Sequence, residues 1–441
     1  RPLSGAALRA AAPVTIRGCS DGPERCPGQG SVKMRGAPSG AGATYAANVP
    51  RLYAFTFLWF FFLWMPIWVV YLQRRGLALA QIGALDAVGW VLQSAAELPT
   101  GAVADVYGRK ASLALGALLL AFAMFAVQAE LLSPLFLLGY MLWGLSHTLA
   151  NGADMALLYD SLKADGREGE YARRVGQHTA VMRASQALAA LAGGWLAQVD
   201  MSLCFTVSGI LALAAAAVAL GFREPPRAAR PEARAGYVRA LREGAALAVR
   251  DPRIRYPLLL GALIGSCAFF LAFVLLQPYA RAVGVPLPAL GPLALAARAS
   301  GIAGALMADR AGRRADPVRV ILVVLGAFAA CLLLMVPARS PWNLAPLLVA
   351  ALLAGLVRPL ISQEVNRWVP SERRATVLSL QSVLFTAWLV VLEPAAFALA
   401  GRFGMGVSVA AMAAAYVVVA AGAVACWRRV LAGARAPGAP A

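Results

Sequence analysis

The sequence predicts an all-α polytopic membrane protein, and three observations carry that prediction. Of its 441 residues 60% are hydrophobic, and the mean hydropathy is +0.68. Apolar runs of about 20 residues, long enough to cross a bilayer core as a helix, recur along the chain. Arginine and lysine gather in alternate connections between those runs. A soluble globule has too little interior to bury so much apolar surface.

Taken as helices, the runs fall at about 50–72, 82–104, 112–131, 134–160, 175–198, 200–222, 254–280, 284–308, 318–337, 342–364, 375–399 and 405–427, roughly twelve in all. Ahead of them, residues 1–49 are rich in Gly, Ala, Pro and Arg without an apolar run, the composition of a disordered extension rather than a signal peptide. Met34 stands shortly before the first helix and reads as the start of translation, with residues 1–33 an extension. The sixth helix is followed by REPPRAARPEARAGYVRALREGAALAVRDPRIR, a Pro- and Arg-rich linker over 223–253. Its latter part, Tyr237 to Val249, reads as an amphipathic helix on the inner membrane surface. The linker separates six helices (50–222) from six (254–427) and leaves a short tail at 428–441.

The formal charge of +19 would point to nucleic acid if it covered a polar surface. Instead it sits at Arg109 and Lys110, Lys163 to Arg174, Arg223 to Arg255, Arg310 to Arg319, Arg367 to Arg374, Arg428 and Arg429, while the intervening connections hold only Arg74, Arg75, Arg281, Arg339 and Arg402. By the positive-inside rule the rich connections and both termini are cytoplasmic, and nucleic-acid binding is excluded. Cys204, Cys267, Cys331 and Cys426 sit in apolar helices as small hydrophobes, with no C-x-x-C spacing. No Ser-His-Asp grouping, phosphate loop or metal cluster stands out, so the reading includes neither an enzyme site nor a cofactor or metal.

A short stretch recurs between the halves. GAVADVYGRK (Gly101 to Lys110) ends the second helix, and ALMADRAGRR (Ala305 to Arg314) ends the eighth. The pairs Asp105 and Asp309, Gly108 and Gly312, Arg109 and Arg313, and Lys110 and Arg314 share one spacing. Gly101 and Gly108 permit close helix approach and a tight turn, and Asp105 offers a carboxylate to a helix N-terminus or a cation of the other half. The stretch reads as a cytoplasmic latch.

On these residues, over about 48–430, the chain resembles the major facilitator superfamily of secondary transporters, whose signature G-x-x-x-D-x-x-G-R-[RK] lies between helices 2 and 3 with a weaker copy between helices 8 and 9. PSERRATVLS (Pro370 to Ser379) is similar to many bacterial members. The resemblance implies two pseudo-symmetric six-helix bundles. It also implies that Asp105 stabilises the outward-open state by contacting the start of helix 11 around Arg373 to Thr376, with Arg109 organising the same network. The chain departs from many proton-coupled exporters of this family in helix 5, where RASQALAALAGGWLA has Gly193 and Gly194 but no proline, and in helix 4, which has no arginine.

Ionisable groups at bilayer depth are costly unless they face a cavity or a partner. Helix 2 sets Asp86, Trp90, Gln93 and Glu97 on one stripe, and helix 4 does the same with Trp143, His147, Asn151 and Asp154. Depths counted at about 1.5 Å per residue place His147 and Arg298 near the midplane. They place Glu97, Asp154, Arg183 and Arg358 toward the cytoplasm, Glu393 toward the outside, and Asp86 too near the outer surface to need a special role. Glu97, Asp154, Glu393 and His147 are therefore the proton-coupling candidates. Arg183 is an expected partner of Asp154 or Glu97, and Arg298 either attracts an anion or pairs with Glu393. Helix 1 is aromatic, with Tyr53, Phe57, Phe60 and Trp64 on one stripe. Trp64, Gln93, Asn151, Arg183, Arg298 and Arg358 are the cavity candidates.

Together these features predict a monomeric, multi-pass protein of the bacterial cytoplasmic membrane that moves a small molecule by alternating access, exporting it in exchange for protons. The alternatives are an importer or facilitator of a small metabolite, such as an anion held by Arg298, and a non-transporting membrane sensor or scaffold.

Overall fold

A computed structural model describes residues 45–226, 246–370 and 374–434. The helices of the first half are α1 (Asn48–Trp59), α2 (Trp68–Arg74), α3 (Leu79–Tyr107), α4 (Arg109–Ala126), α5 (Pro134–Ala150), α6 (Ala153–Ala164), α7 (Tyr171–Val199) and α8 (Met201–Leu220). Those of the second half are α9 (Pro252–Phe269), α10 (Leu276–Ala282), α11 (Leu290–Arg314), α12 (Pro317–Met335), α13 (Ala345–Trp368), α14 (Arg374–Phe403) and α15 (Met405–Ala434). No strand occurs among the described residues. Eight of the described helical stretches are long and apolar enough to cross a membrane unaided. The linker helix expected at Tyr237 to Val249 falls largely outside the described residues, although 246–250 are helical and Ala248 is buried. The last helix continues to Ala434, past the expected limit at 427.

Helix starts follow from local chemistry. The side chains of Ser133, Asp200, Asp251 and Asp316 accept hydrogen bonds from Phe136, Ser202, Arg253 and Val318 backbone N–H groups at 3.2, 2.8, 2.8 and 3.1 Å. Three of these caps precede a proline at the first helical position, where the missing N–H costs nothing.

Two expected spans are broken. The first divides into α1 and α2 around Phe60–Ile67, and the fourth into α5 and α6 at Asn151 and Gly152, where Gly152 has φ +83°. Backbone freed at membrane depth must find partners within the protein. In the first break Leu63 N–H donates to Ser208 Oγ at 3.2 Å. Val69 N–H donates to Gln277 Oε1 at 2.9 Å, and Gln277 Nε2 donates to Met65 O at 2.9 Å. The seventh span widens to a π-helix over Phe270–Leu275, just before Pro278, whose ring would crowd the carbonyl of Val274 in a regular helix.

Within the first half α4 packs on α5 and α8, α3 on α5, and α1 on α7 and α8; within the second α11 and α12 pack on α13, and α9 on α13, α14 and α15. The halves meet through α3 with α14, α7 with α11, and α2 with α10. These junctions lie toward the Arg-poor end. There a Cβ on Gly83 would stand 2.8 Å from Pro394 Cα, and one on Gly194 would stand 2.9 Å from Pro288 O. The shared stripe of α3 shows where they part, because Asp86 is buried, Trp90 and Gln93 are half-buried, and Glu97 is exposed. Arg183 on α7 and Arg358 on α13 are exposed as well. The halves thus touch at the Arg-poor end and separate toward the Arg-rich one.

Candidate functional site

Beneath the closed end lies a cavity of ≈ 700 Å³, its open mouth included. Both halves build it: Trp64 and Trp68 come from around the first break, Trp90 from α3, Trp143 from α5, and Phe269 and Phe273 from α9 and the π-helix. Their rings lock edge-on or stacked, Trp64 with Trp143 at 5.5 Å, Trp90 with Phe269 at 5.7 Å, and Phe269 with Phe273 at 4.8 Å between centroids. The helix 1 break turns the aromatic run inward, so Trp64 is buried rather than facing lipid.

Two carboxyl groups stand in this apolar wall. Asp86 on α3 is 6% exposed, and Glu393 on α14 is 0% exposed. Tyr140 donates its hydroxyl to Asp86 Oδ1, and Trp90 Nε1 donates to Glu393 Oε2 at 3.1 Å. The two side chains face the same cavity from opposite halves. Asp86 Oδ2 and Glu393 Oε1 are left with no N–H or O–H donor. Asp86 thus sits in the interface, unlike its expected place near the outer surface, because the packing of α14 and α5 covers it where sequence depth alone leaves it near water.

The other candidates disperse. Glu393 pairs with Asp86 and Trp90, and the alternative partner, Arg298, instead lays its guanidinium over the Phe273 ring at 4.9 Å. Arg183 bonds Gln186 at 3.3 Å, while Asp154 faces His178 Nε2 at 3.7 Å and caps Met155 N–H at 2.7 Å. The expected pairing of Arg183 with a carboxylate is therefore replaced by a histidine–aspartate contact between α7 and α6. His147 is caged edge-on by Trp59, Phe62 and Trp143 at 5.5–5.6 Å, and its Nε2 has no partner. Asn151 is exposed at the α5–α6 break. Gln93 packs beside Gly144, and Arg358 is exposed at the Arg-rich mouth. Sequence reading missed Gln277, which stands in an apolar run with the adjacent Pro278 as its one local cue, and His178, which is one polar residue among many in RRVGQHT.

At the latch, the side chains of Gly101, Asp105 and Arg373 to Thr376 lie outside the described residues. Gly108 has φ +112° and ψ 152°, a region that a side chain blocks. Arg109 binds the Asp160 carboxylate and donates to Ala156 O at 2.7 Å, both partners on α6. Glu224, just after α8, accepts the backbone N–H groups of Arg109 and Lys110 at 2.9 Å each and so caps α4. In the second copy Arg313 pairs with Asp309 along an exposed face, Gly312 lies against Leu360, and Arg314 ends α11.

The Major Facilitator Superfamily model matches residues 52–392. The chain belongs to that superfamily. It is therefore a multi-pass membrane transporter of small molecules rather than an enzyme, with the expected fold of two six-helix bundles. Among solved structures it is similar to the nucleoside transporter NupG, with 15% identity, TM-score 0.68, and coverage of 86% of this chain and 98% of that one. A bacterial homologue of the human lysosomal transporter Spinster, inward-facing and unoccupied, is 18% identical with TM-score 0.65, covering 89% and 98%. A D-xylose–proton symporter is 13% identical with TM-score 0.59, covering 87% and 97%. At these identities the likeness carries the fold alone. No curated protein sequence matches the chain.

Proposed function

We propose that this superfamily member is a proton-coupled exporter of a small amphipathic compound, working by alternating access and seen here open to the cytoplasm. One observation carries the reading. The halves converge at the Arg-poor end over an aromatic cavity, and each half contributes one buried carboxyl to its wall. The positive-inside rule assigns the closed end to the outside and both termini to the cytoplasm of a bacterial inner membrane. The similarity to an inward-facing transporter supports the same orientation. Bundles at 50–222 and 254–427, joined by the 223–253 linker, rock as a monomer about the cavity, with the two D-x-x-G-R stretches gating the cytoplasmic side. Glu393 is the leading coupling residue, and Glu97 and Asp154 serve protons on the vestibule side.

Flux in proteoliposomes tests the proposal. In vesicles preloaded with a panel of lipophilic cations, neutral drugs and organic anions, acid outside should speed the loss of a substrate from the side equivalent to the cytoplasm. Loss speeded by acid inside would instead mark a symporter, and flux indifferent to pH a facilitator. A second reading, uptake of a polar metabolite, draws on two similar structures, a nucleoside transporter and a xylose–proton symporter, and on Arg298 beside the cavity wall.

A further inference from the structure

We infer that the aromatic cavity is an organic-cation site, in which a flat aromatic cation replaces a proton on the Asp86–Glu393 pair. The inference rests on the proton-coupled reading for its place in a transport cycle, while the binding event stands on the cavity itself.

The wall has the chemistry that selects a cation. Four indole rings and three phenyl rings present π faces and edges, and π faces attract positive charge more strongly once water is excluded. Among the described residues Asp86 and Glu393 are the carboxyl groups lining the cavity, and no Lys, Arg or His lines it. Each is more than nine-tenths buried, and each keeps one oxygen without a donor. A neutral ligand leaves those oxygens unmatched, and an anion meets like charge.

Bases near the cavity are already committed. Arg298 lies over the ring of Phe273, and His147 is edge-on to Trp143 at 5.5 Å. Arg75 is turned onto the carbonyls of Val127 and Ala129. From α5, Tyr140 donates to Asp86. On α9, Arg253 pairs with Asp251, Arg255 bonds the Tyr256 hydroxyl, and Cys267 is buried beside Tyr416 of α15, whose hydroxyl donates to Leu325 O at 3.3 Å. On α2, Tyr71 packs on Phe205. None of these supplies a counter-cation to the pair.

Trp64 Nε1 and Trp143 Nε1 are buried without acceptors, so the fitting ligand carries an acceptor atom besides its charge.

The exchange balances in protons and charge. With both carboxyls protonated the pair is neutral. A monovalent cation entering against it expels one proton to the water of the open mouth, and the site stays neutral. Reprotonation from the opposite side then releases the cation.

The test uses the purified full-length protein in detergent and one isosteric series: N-methyl-4-phenylpyridinium, neutral 4-phenylpyridine at pH 8, and biphenyl-4-carboxylate. Binding is followed by quenching of tryptophan fluorescence, and proton release by a pH dye in weak buffer. The cation should bind at least tenfold more tightly than the other two and release about one proton per site. Its affinity should fall up to tenfold per pH unit on acidification. Glu393→Gln and Asp86→Asn should each abolish the proton release, and the wild-type pH slope gives the same information if a variant fails to fold. Preference for the neutral or anionic compound, or cation binding without proton release in the wild type, overturns the inference. Proton-driven flux of non-cationic compounds with no cation binding sinks the cation site and leaves the transport reading standing. Cation binding with proton release but no flux does the reverse.

Discussion

At the scale of single residues, Gln277 does what no sequence pattern announces. Its amide, 1% exposed, accepts from Val69 N–H and donates to Met65 O, closing the broken first helix from the opposite half. Replacing it with leucine orphans two buried backbone groups, each costing about 1–3 kcal/mol. Gln277→Leu should therefore weaken closure at the Arg-poor end. A Met124→Cys reporter in the cavity wall, in an otherwise cysteine-free protein, should then react faster with a membrane-impermeant thiol reagent added from that side. An unchanged rate would mean that the break is held by other contacts. Residue-level legibility divides along this line. Glu393 and Trp64 stood out because charge or aromatic excess in an apolar run is visible in one dimension. Gln277, Asp86 and His178 acquire their roles only from a partner more than 20 residues away.

Elements were more legible, and the reasons are local. The Ser-Pro and Asp-Pro pairs at Ser133, Asp251 and Asp316 mark helix starts because the cap and the proline act within one turn. The breaks at Phe60–Ile67 and Asn151–Gly152 left only Pro66 and the Asn-Gly pair as local cues, and the partners of the freed backbone in the first come from other helices. The turn between α6 and α7 yields a pH prediction. Glu170 accepts from Arg167 Nε at 2.7 Å and Arg174 Nη2 at 2.8 Å, and these hydrogen bonds pull its carboxyl down to about 2. A carboxyl depressed on folding adds its stability fully above its unfolded value, near 4.3, and loses it as pH falls toward the folded value. The difference in thermal stability between wild type and Glu170→Gln should thus be constant from pH 7 to about 5 and shrink between pH 4.5 and 3. It should be small throughout, because exposed ion pairs contribute little. A difference that grows on acidification would assign the turn to another interaction.

For the whole molecule, alternation requires that the closed end be only modestly favoured, so a wedge placed there should tip the balance. Gly194 on α7 and Gly291 on α11 let backbones of the two halves touch, and a side chain at Gly194 would drive into Pro288 O and Gly291 N. Overpacking of this kind costs about 1–3 kcal/mol, which moves a two-state ratio by roughly 5- to 150-fold. The separated end carries no such strain, because its helix faces already stand apart, so Gly194→Leu penalises one state and spares the other. Spin labels at Leu132 and Trp342 report on the closed end, and labels at Tyr107 and Arg314 on the open end; all four side chains are exposed. In Gly194→Leu the first distance should lengthen as the second shortens. Gly326→Leu, placed where nothing approaches within 4 Å, should move neither. Coupled opposite shifts would mean that the halves pivot as bodies, whereas lengthening at one end alone would mean local unfolding of the junction and would remove the basis for a rocking cycle.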